Sequence, residues 1–324
     1  MKFLKKILII QNELPEYRNF LWLGLRKKFQ LYLLNISNST VILPCGSCKF
    51  YTEEIINVHF DTVVVNASIR NILSIIKYKY IYNYDHMYGW TQFSGANKSN
   101  FLNLIKYLFY VTFFKKILLY YEFEKKLIPF GLQTDKFYFL NNTIENQHVV
   151  IDGNRNSKEF LFIGRNTIKS NLQLLFKAIN LLPCNYIFHF VGVKSAEISE
   201  FNNYKQCIFY GSTSDKNFIA KIASRCKYFV YPGDVGLSVI HAIKLGLIPI
   251  VHSEIDKHMP ELKAIYGELP IMYFKEGSYQ SLAVEIKRCA ESDIDISQEV
   301  MKYADKKFDE NIAINNFIKL IIEN

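Results

Sequence analysis

Short, unbroken apolar runs recur along the whole chain, each followed by a stretch with helical spacing, and no other feature restricts the fold as much. In the first half, strand-type runs are expected at Lys6–Ile10, Gln30–Leu34, Thr62–Val65, Tyr80–Asn83, Lys116–Tyr120 and Lys136–Leu140. The intervening segments Arg18–Lys28, Ser68–Lys77, Asn100–Phe113 and Glu122–Phe130 carry helical patterns, the last stopped by Gly131. In the second half, Phe160–Ile163, Tyr186–Val191, Cys207–Tyr210, Tyr228–Tyr231 and Ile248–Val251 are the strand-type runs. Helices are expected at Asn171–Leu182, at Asp215–Ser224 with Asp215 or Ser214 as cap, and at Leu237–Leu245. A strand apolar on both faces has to be covered on both faces, so runs of this kind joined by helical crossovers imply parallel sheets. The expected fold is therefore α/β, with two doubly wound, Rossmann-like domains. The polar segment from Glu145 to Glu159 divides them, giving domains at 1–150 and 151–324.

Composition excludes several classes. With 50% apolar and 21% charged residues the chain is not disordered. No apolar run reaches the ~18 residues that a membrane span requires. The apolar stretch before Gln11 and Asn12 is too short for the core of a secretory signal, so a cytoplasmic location is expected. Residues 1–150 hold 18 Lys and Arg against 10 Asp and Glu, a net of +8, whereas residues 151–324 hold 21 against 20, a net of +1. That asymmetry points the first half toward something anionic, a phosphate-bearing acceptor or a membrane surface, although nucleotide bias would also yield a chain rich in Lys, Asn and Ile. Only 7 of the 39 basic residues are Arg and none cluster, which argues against nucleic acid. Cys45-Gly-Ser-Cys48 lacks further ligands at zinc spacing, so the six cysteines read as ordinary thiols of a reducing compartment.

In open α/β sheets ligands bind beyond the carboxyl ends of the strands. The first such loop, Gln11 to Arg18, contains no glycine, which excludes the Gly-x-Gly-x-x-Gly dinucleotide fingerprint. Gly164-Arg165-Asn166-Thr167-Ile168-Lys169-Ser170 follows a strand and opens a helix. Two cations beside helix N-terminal amides suit a diphosphate, with Arg165 able to bind in a bidentate manner and Lys169 adding a point charge. A second concentration runs from Tyr231 to Gly246. Gly233 and Gly236 permit close approach of backbone to ligand, and the turn presents the first amides of the following helix. His241, one turn into that helix, either faces the ligand or is a core histidine.

These residues resemble those of the family 4 glycosyltransferases, retaining enzymes of the GT-B fold. Phe160-Leu-Phe-Ile-Gly-Arg165, with Lys169, is similar to the family's diphosphate motif, though the Arg-to-Lys spacing is one residue shorter, so that Lys169 or, after a shift, Ser170 takes the lysine position. Val191-Gly192 and Cys207-Ile-Phe-Tyr-Gly211 resemble its next two strand–glycine signatures. Tyr231-Pro-Gly-Asp-Val-Gly-Leu-Ser-Val-Ile-His-Ala242 resembles its Glu-x7-Glu segment, and His258-Met-Pro-Glu261 the element after the following strand. Leu14-Pro-Glu-Tyr17-Arg18, Ile117 to Lys125 and Phe139 to Ile144 also fit members that build cell-surface polysaccharide such as lipopolysaccharide, O-antigen or capsule.

The resemblance implies two domains facing across a cleft, the last helix returning toward the first domain. It implies transfer of a hexosyl group from a nucleoside-diphosphate-sugar to a saccharide or polyprenyl-linked acceptor, with no cofactor. No Asp-x-Asp cluster stands in a suitable place, so metal independence is expected. Arg165, Lys169 and His86 carry the implied catalytic roles, His86 on the premise that it follows the strand Tyr80–Asn83. Gly164, Gly211, Gly233, Asp234, Gly236, Leu237, Ser238 and His241 line the implied donor site, and Tyr17 and Arg18 the acceptor side. Both carboxylates of Glu-x7-Glu are missing, replaced by Gly233 and His241. His241 is expected to take the ribose contact, Asp234 the donor-sugar contact, and Glu261 to cap a helix. The aromatic run from Phe101 to Lys116 suits either attachment to anionic lipid or a helix buried in its domain. A nucleotide-sugar epimerase and a non-catalytic partner protein of the same fold remain the alternatives.

Overall fold

The computed structural model describes residues 4–50, 55–93, 100–146, 155–194, 205–292 and 295–323. They form two units, Met1–Glu145 together with Glu310–Asn324, and Asn146–Asp309. Much of the segment expected to join the domains, 147–154, lies outside the described residues.

The first unit is built on β1 (Lys6–Gln11), β2 (Gln30–Asn35), β3 (Thr40–Ile42), β4 (Cys48–Phe50), β5 (His59–Asn66), β6 (Asn83–Trp90), β7 (Lys116–Leu119) and β8 (Phe137–Phe139). Their order across the sheet is β4-β3-β2-β1-β5-β6-β7-β8. All neighbours from β2 to β8 are parallel, and β3–β4 is an antiparallel hairpin added at the β2 edge. The helices are α1 (Asn19–Arg26), α2 (Ile72–Ile81) and α3 (Asn100–Phe113). Alternate residues of β1 serve opposite cores: Leu8 and Ile10 pack with Ile75 of α2 and Tyr110 of α3, and Ile7 and Ile9 with Leu21 of α1. That division is why the strand must be apolar throughout.

The second unit has β9 (Asn156–Ile163), β10 (Ile187–Val191), β11 (Cys207–Phe209), β12 (Cys226–Val230), β13 (Ile248–His252) and β14 (Met272–Phe274). All are parallel, in the order β11-β10-β9-β12-β13-β14. Numbered within the unit this is 3-2-1-4-5-6, the dinucleotide-fold order whose switch point lies between its first and fourth strands. The connecting helices are α4 (Leu172–Ile179), α5 (Lys216–Ala223), α6 (Leu237–Lys244), α7 (Pro260–Ile265), α8 (Tyr279–Ala290) and α9 (Ser297–Lys307). Asp215 caps α5 by accepting from the Phe218 amide at 3.1 Å. The last helix, α10 (Glu310–Ile322), packs on α1 in the first unit, burying Phe317 and Leu320 in the core of Ile7 and Ile9.

Three expectations require correction. Residues 80 and 81 continue α2 instead of starting a strand, because Ile72, Ile75, Tyr78 and Ile81 recur at helical spacing against one core. The strand that follows is β6, and it begins at Asn83. The helix expected over Glu122–Phe130 is a 3-10 segment, Glu122–Leu127. It is held by Glu124, whose buried carboxylate accepts from the amides of Phe93 at 2.6 Å and of Tyr120 and Tyr121 at 3.0 Å. The β3–β4 hairpin was absent from the expected elements, and it places exposed Cys45 in its turn and exposed Cys48 at the start of β4.

Candidate functional site

Along the carboxyl rim of the second sheet the strand ends are held together by backbone bonds. The Gly164 amide donates to the Val191 carbonyl at 3.0 Å, and the Gly192 amide to the Gly211 carbonyl at 2.7 Å. Gly192 has φ +93°, and a Cβ there would stand 2.5 Å from the Gly164 carbonyl oxygen. The rim is thus low and made of backbone. Beneath it Phe162 stacks on Tyr231 with ring centroids 5.1 Å apart.

Two loops rise from this rim. The loop after β9 is shaped by Thr167, whose hydroxyl accepts from the Ser170 amide at 3.2 Å while the Ser170 hydroxyl accepts from the Thr167 amide at 2.9 Å. Asn171 then takes a left-handed conformation, φ +49°, to open α4. Arg165 and Lys169 are exposed, and neither makes a side-chain hydrogen bond or ion pair among the described residues. Burial pushes the Tyr231 phenol up, an effect that the positive field of Arg165 opposes. The loop after β12 is tied to the first one, since the Asp234 amide donates to the Lys169 carbonyl at 2.9 Å. Gly233 sits so close that a Cβ would overlap that same carbonyl oxygen. A carboxylate-bearing side chain at 233 does not fit this backbone, which accounts physically for the missing first Glu.

Gly236 precedes α6, leaving the amides of Leu237 and Ser238 among those without an intrahelical acceptor. Val239, Ile240, Ala242 and Ile243 are buried, whereas Leu237, Ser238 and His241 are half-buried on the helix's other side. The His241 imidazole is driven down to about 4, first by burial and then by the Lys244 cation, so it is neutral near pH 7.

The loop after β12 is buttressed by two histidines. The Asp234 carboxylate meets His252 Nε2 at 3.2 Å, and His252 is almost wholly buried at the end of β13. His252 stacks on His258 with centroids 3.8 Å apart. His258 Nδ1 accepts from the Val235 amide at 3.0 Å, and its Nε2 donates to the His252 carbonyl at 3.0 Å. One nitrogen accepts and the other donates, so the ring is neutral, in keeping with burial pushing it down to about 4. His252 was not among the residues expected here. The available sign was a histidine closing a strand, in the position from which side chains reach a ligand. Met259, not Glu261, occupies the N-cap position of α7, with no side-chain cap bond, and Glu261 lies buried in the first turn.

At the carboxyl rim of the first sheet, the Arg18 guanidinium lies over Trp90, 4.5 Å from its ring centroid, and donates to the Tyr120 hydroxyl at 2.8 Å. Tyr17 is exposed beside it, its ring 5.5 Å from the guanidinium. His86 is not at this rim. It lies within β6, four residues before Trp90 and thus about 13 Å back along the strand. Its Nε2 accepts from Lys115, just ahead of β7, at the amino edge of the sheet. The residues that β6 delivers to the carboxyl rim are Trp90, Thr91 and Gln92.

Among the described residues, Glu159, His189 and Cys226 bring metal-ligand atoms within 4.8 Å of one another. Their bonding is already satisfied: Glu159 pairs with His189 at 2.8 Å and with Arg225 at 3.1 Å, and His189 Nδ1 bonds the Tyr210 hydroxyl at 2.9 Å. With a guanidinium on the carboxylate, the group reads as a buried polar brace and not as a cation site.

No protein-family model matches the chain, and no curated protein sequence does. Solved structures do match. The apo form of the lipopolysaccharide outer core galactosyltransferase WaaB aligns at a TM-score of 0.67 and 12% identity, covering 98% of this chain and 99% of the other. Anabaena HepE, solved with UDP and glucose, aligns at 0.69 and 12%, covering 99% and 100%. A glycosyltransferase from Rickettsia africae aligns at 0.68 and 12%, covering 99% of each chain. At this identity the likeness concerns architecture, and the architecture is that of the GT-B glycosyltransferases.

Proposed function

We propose that the protein is a glycosyltransferase that moves a hexosyl group from a nucleoside-diphosphate-sugar to a hydroxyl acceptor with retained anomeric configuration. The observation that carries this reading is the pair of uncompensated cations, Arg165 and Lys169, on a glycine-made rim next to the first amides of α6. Such a surface matches a diphosphate in charge and in backbone donors. As the glycosidic bond breaks, negative charge grows on the departing diphosphate. Arg165, Lys169 and the amides of Leu237 and Ser238 stabilise that charge without a metal ion. Asp234, anchored by His252, accepts from a hydroxyl of the transferred sugar, and neutral His241 bonds a ribose hydroxyl. In this reading the first unit receives a saccharide or polyprenyl-linked acceptor near Tyr17, Arg18 and Tyr120, in the assembly of cell-surface polysaccharide. HepE bears UDP and glucose on a similar architecture, which supports a uridine donor.

The decisive measurement is isothermal calorimetry with UDP, followed by turnover of UDP-sugars. Arg165→Ala should weaken UDP binding and lower kcat by about 10²–10³. Absence of any heat of binding with UDP, ADP, GDP and CDP would remove the donor site altogether. Conversion of a donor into its epimer without acceptor would replace transfer with epimerisation.

A further inference from the structure

Helices α2 and α3 form one layer over the first sheet. Each returns from the carboxyl end of one parallel strand to the start of the next, so the two run side by side. Near their ends Lys79 Nζ lies 4.8 Å from the Phe113 ring. Their inner sides are core, with Ile75, Tyr107 and Tyr110 buried. Their outer sides are not the polar surface expected of a helix facing water. Leu73 is 79% exposed and Tyr80 86% on α2, and Phe101 is 68% and Leu108 51% exposed on α3, with Ile105 between them also exposed. The helix expected either to attach to anionic lipid or to be buried in its domain thus has a buried side and an uncovered apolar side.

The charge on this layer has one sign. Within α2, α3 and the turn just ahead of α2 the charged residues are Arg70, Lys77, Lys79 and Lys106, with no acid among them. Arg70, Lys77 and Lys79 are exposed on or just ahead of α2. Large apolar tips set among cations with no carboxylate between them are what an anionic bilayer accommodates: the tips enter the headgroup boundary while the lysines reach the phosphates. We infer that the α2–α3 layer docks on an anionic lipid bilayer. The inference stands on this surface alone and does not depend on the donor site.

Flotation with vesicles of phosphatidylcholine, and of phosphatidylcholine enriched in phosphatidylglycerol, tests it. The full chain should float with the anionic vesicles and be released by high salt, as screening predicts. Replacing both Arg70 and Lys77 by Ala should weaken the partition about 25-fold, since each basic residue near such a surface contributes about fivefold. Leu73→Ser combined with Phe101→Ser should also lose binding, and unchanged thermal melting would show that these variants remain folded. Equal recovery with neutral and anionic vesicles would overturn the inference. So would variants that float like the parent, or a chain that stays in the soluble fraction whether alone or bound to a protein.

Discussion

Arg165 and Lys169, the cations of the proposed diphosphate site, were legible in the sequence because cations and glycines at a strand end are local features. What Gly233 does was not, because its constraint is the Lys169 carbonyl, distant in sequence and in contact only after folding. The structure therefore predicts that restoring the missing carboxylate as Gly233→Glu lowers both Tm and donor turnover, a result that melting and initial rates would read directly. His252 likewise has no local signature. If it positions Asp234, His252→Ala should reduce kcat more than it raises the KM for donor, and His252→Asn should recover part of the loss. Equal losses in the two variants would assign His252 to folding alone. The histidines also set a pH dependence. His258 stays neutral in the folded protein down to about 4 but titrates near 6.5 when unfolded, so the unfolded chain binds the extra proton between those values. Stability is then complete above pH ~6.5 and declines as the pH falls, by about 3 kcal/mol at pH 4 from this group. Urea unfolding at pH 7 and near pH 4 should show that loss, and His258→Gln should flatten it.

Among elements, the strands that were easiest to place were those buried on both faces, because a continuous apolar run has few other solutions. Asn83–Trp90 was misplaced because Tyr80 and Ile81 have strand propensity and are nevertheless held in α2 by the core beneath it. His86 went with it: a boundary shift of a few residues carried the side chain from one rim of the sheet to the other. The short hairpin of β3 and β4 has too few residues to display a period. Helix α6 depends on a residue far away in sequence. Arg155 donates to the carbonyls of Leu245 at 2.7 Å, Gly246 at 3.0 Å and Cys226 at 3.2 Å, closing the carboxyl end of the helix that presents the rim amides. Arg155→Ala leaves those acceptors without their donor and should cost about 2–4 kcal/mol in denaturant titration.

At the scale of the molecule, no helix among the described residues is long and apolar enough to cross a membrane. The last helix belongs with the first unit although more than 160 residues separate it from the rest of that unit. Phe317, Leu320 and Ile321 are buried there, and Lys116 Nζ donates to the Leu320 carbonyl at 2.9 Å. A chain ending at Asp309 would uncover those side chains and the core they cover. At about 1.5–3 kcal/mol for each buried aliphatic or aromatic group, that first unit should melt well below the second, which calorimetry would resolve as separated transitions. The sequence alone determined the α/β class, the parallel sheets and the cationic glycine loop, because apolar period, strand ends and loop charge are properties of neighbouring residues. Only the tertiary structure decided which carbonyl stands against Gly233, which rim His86 occupies, what anchors Asp234 and which sides of α2 and α3 stay uncovered. Each of those depends on contacts between segments distant along the chain, and no local pattern encodes such a contact.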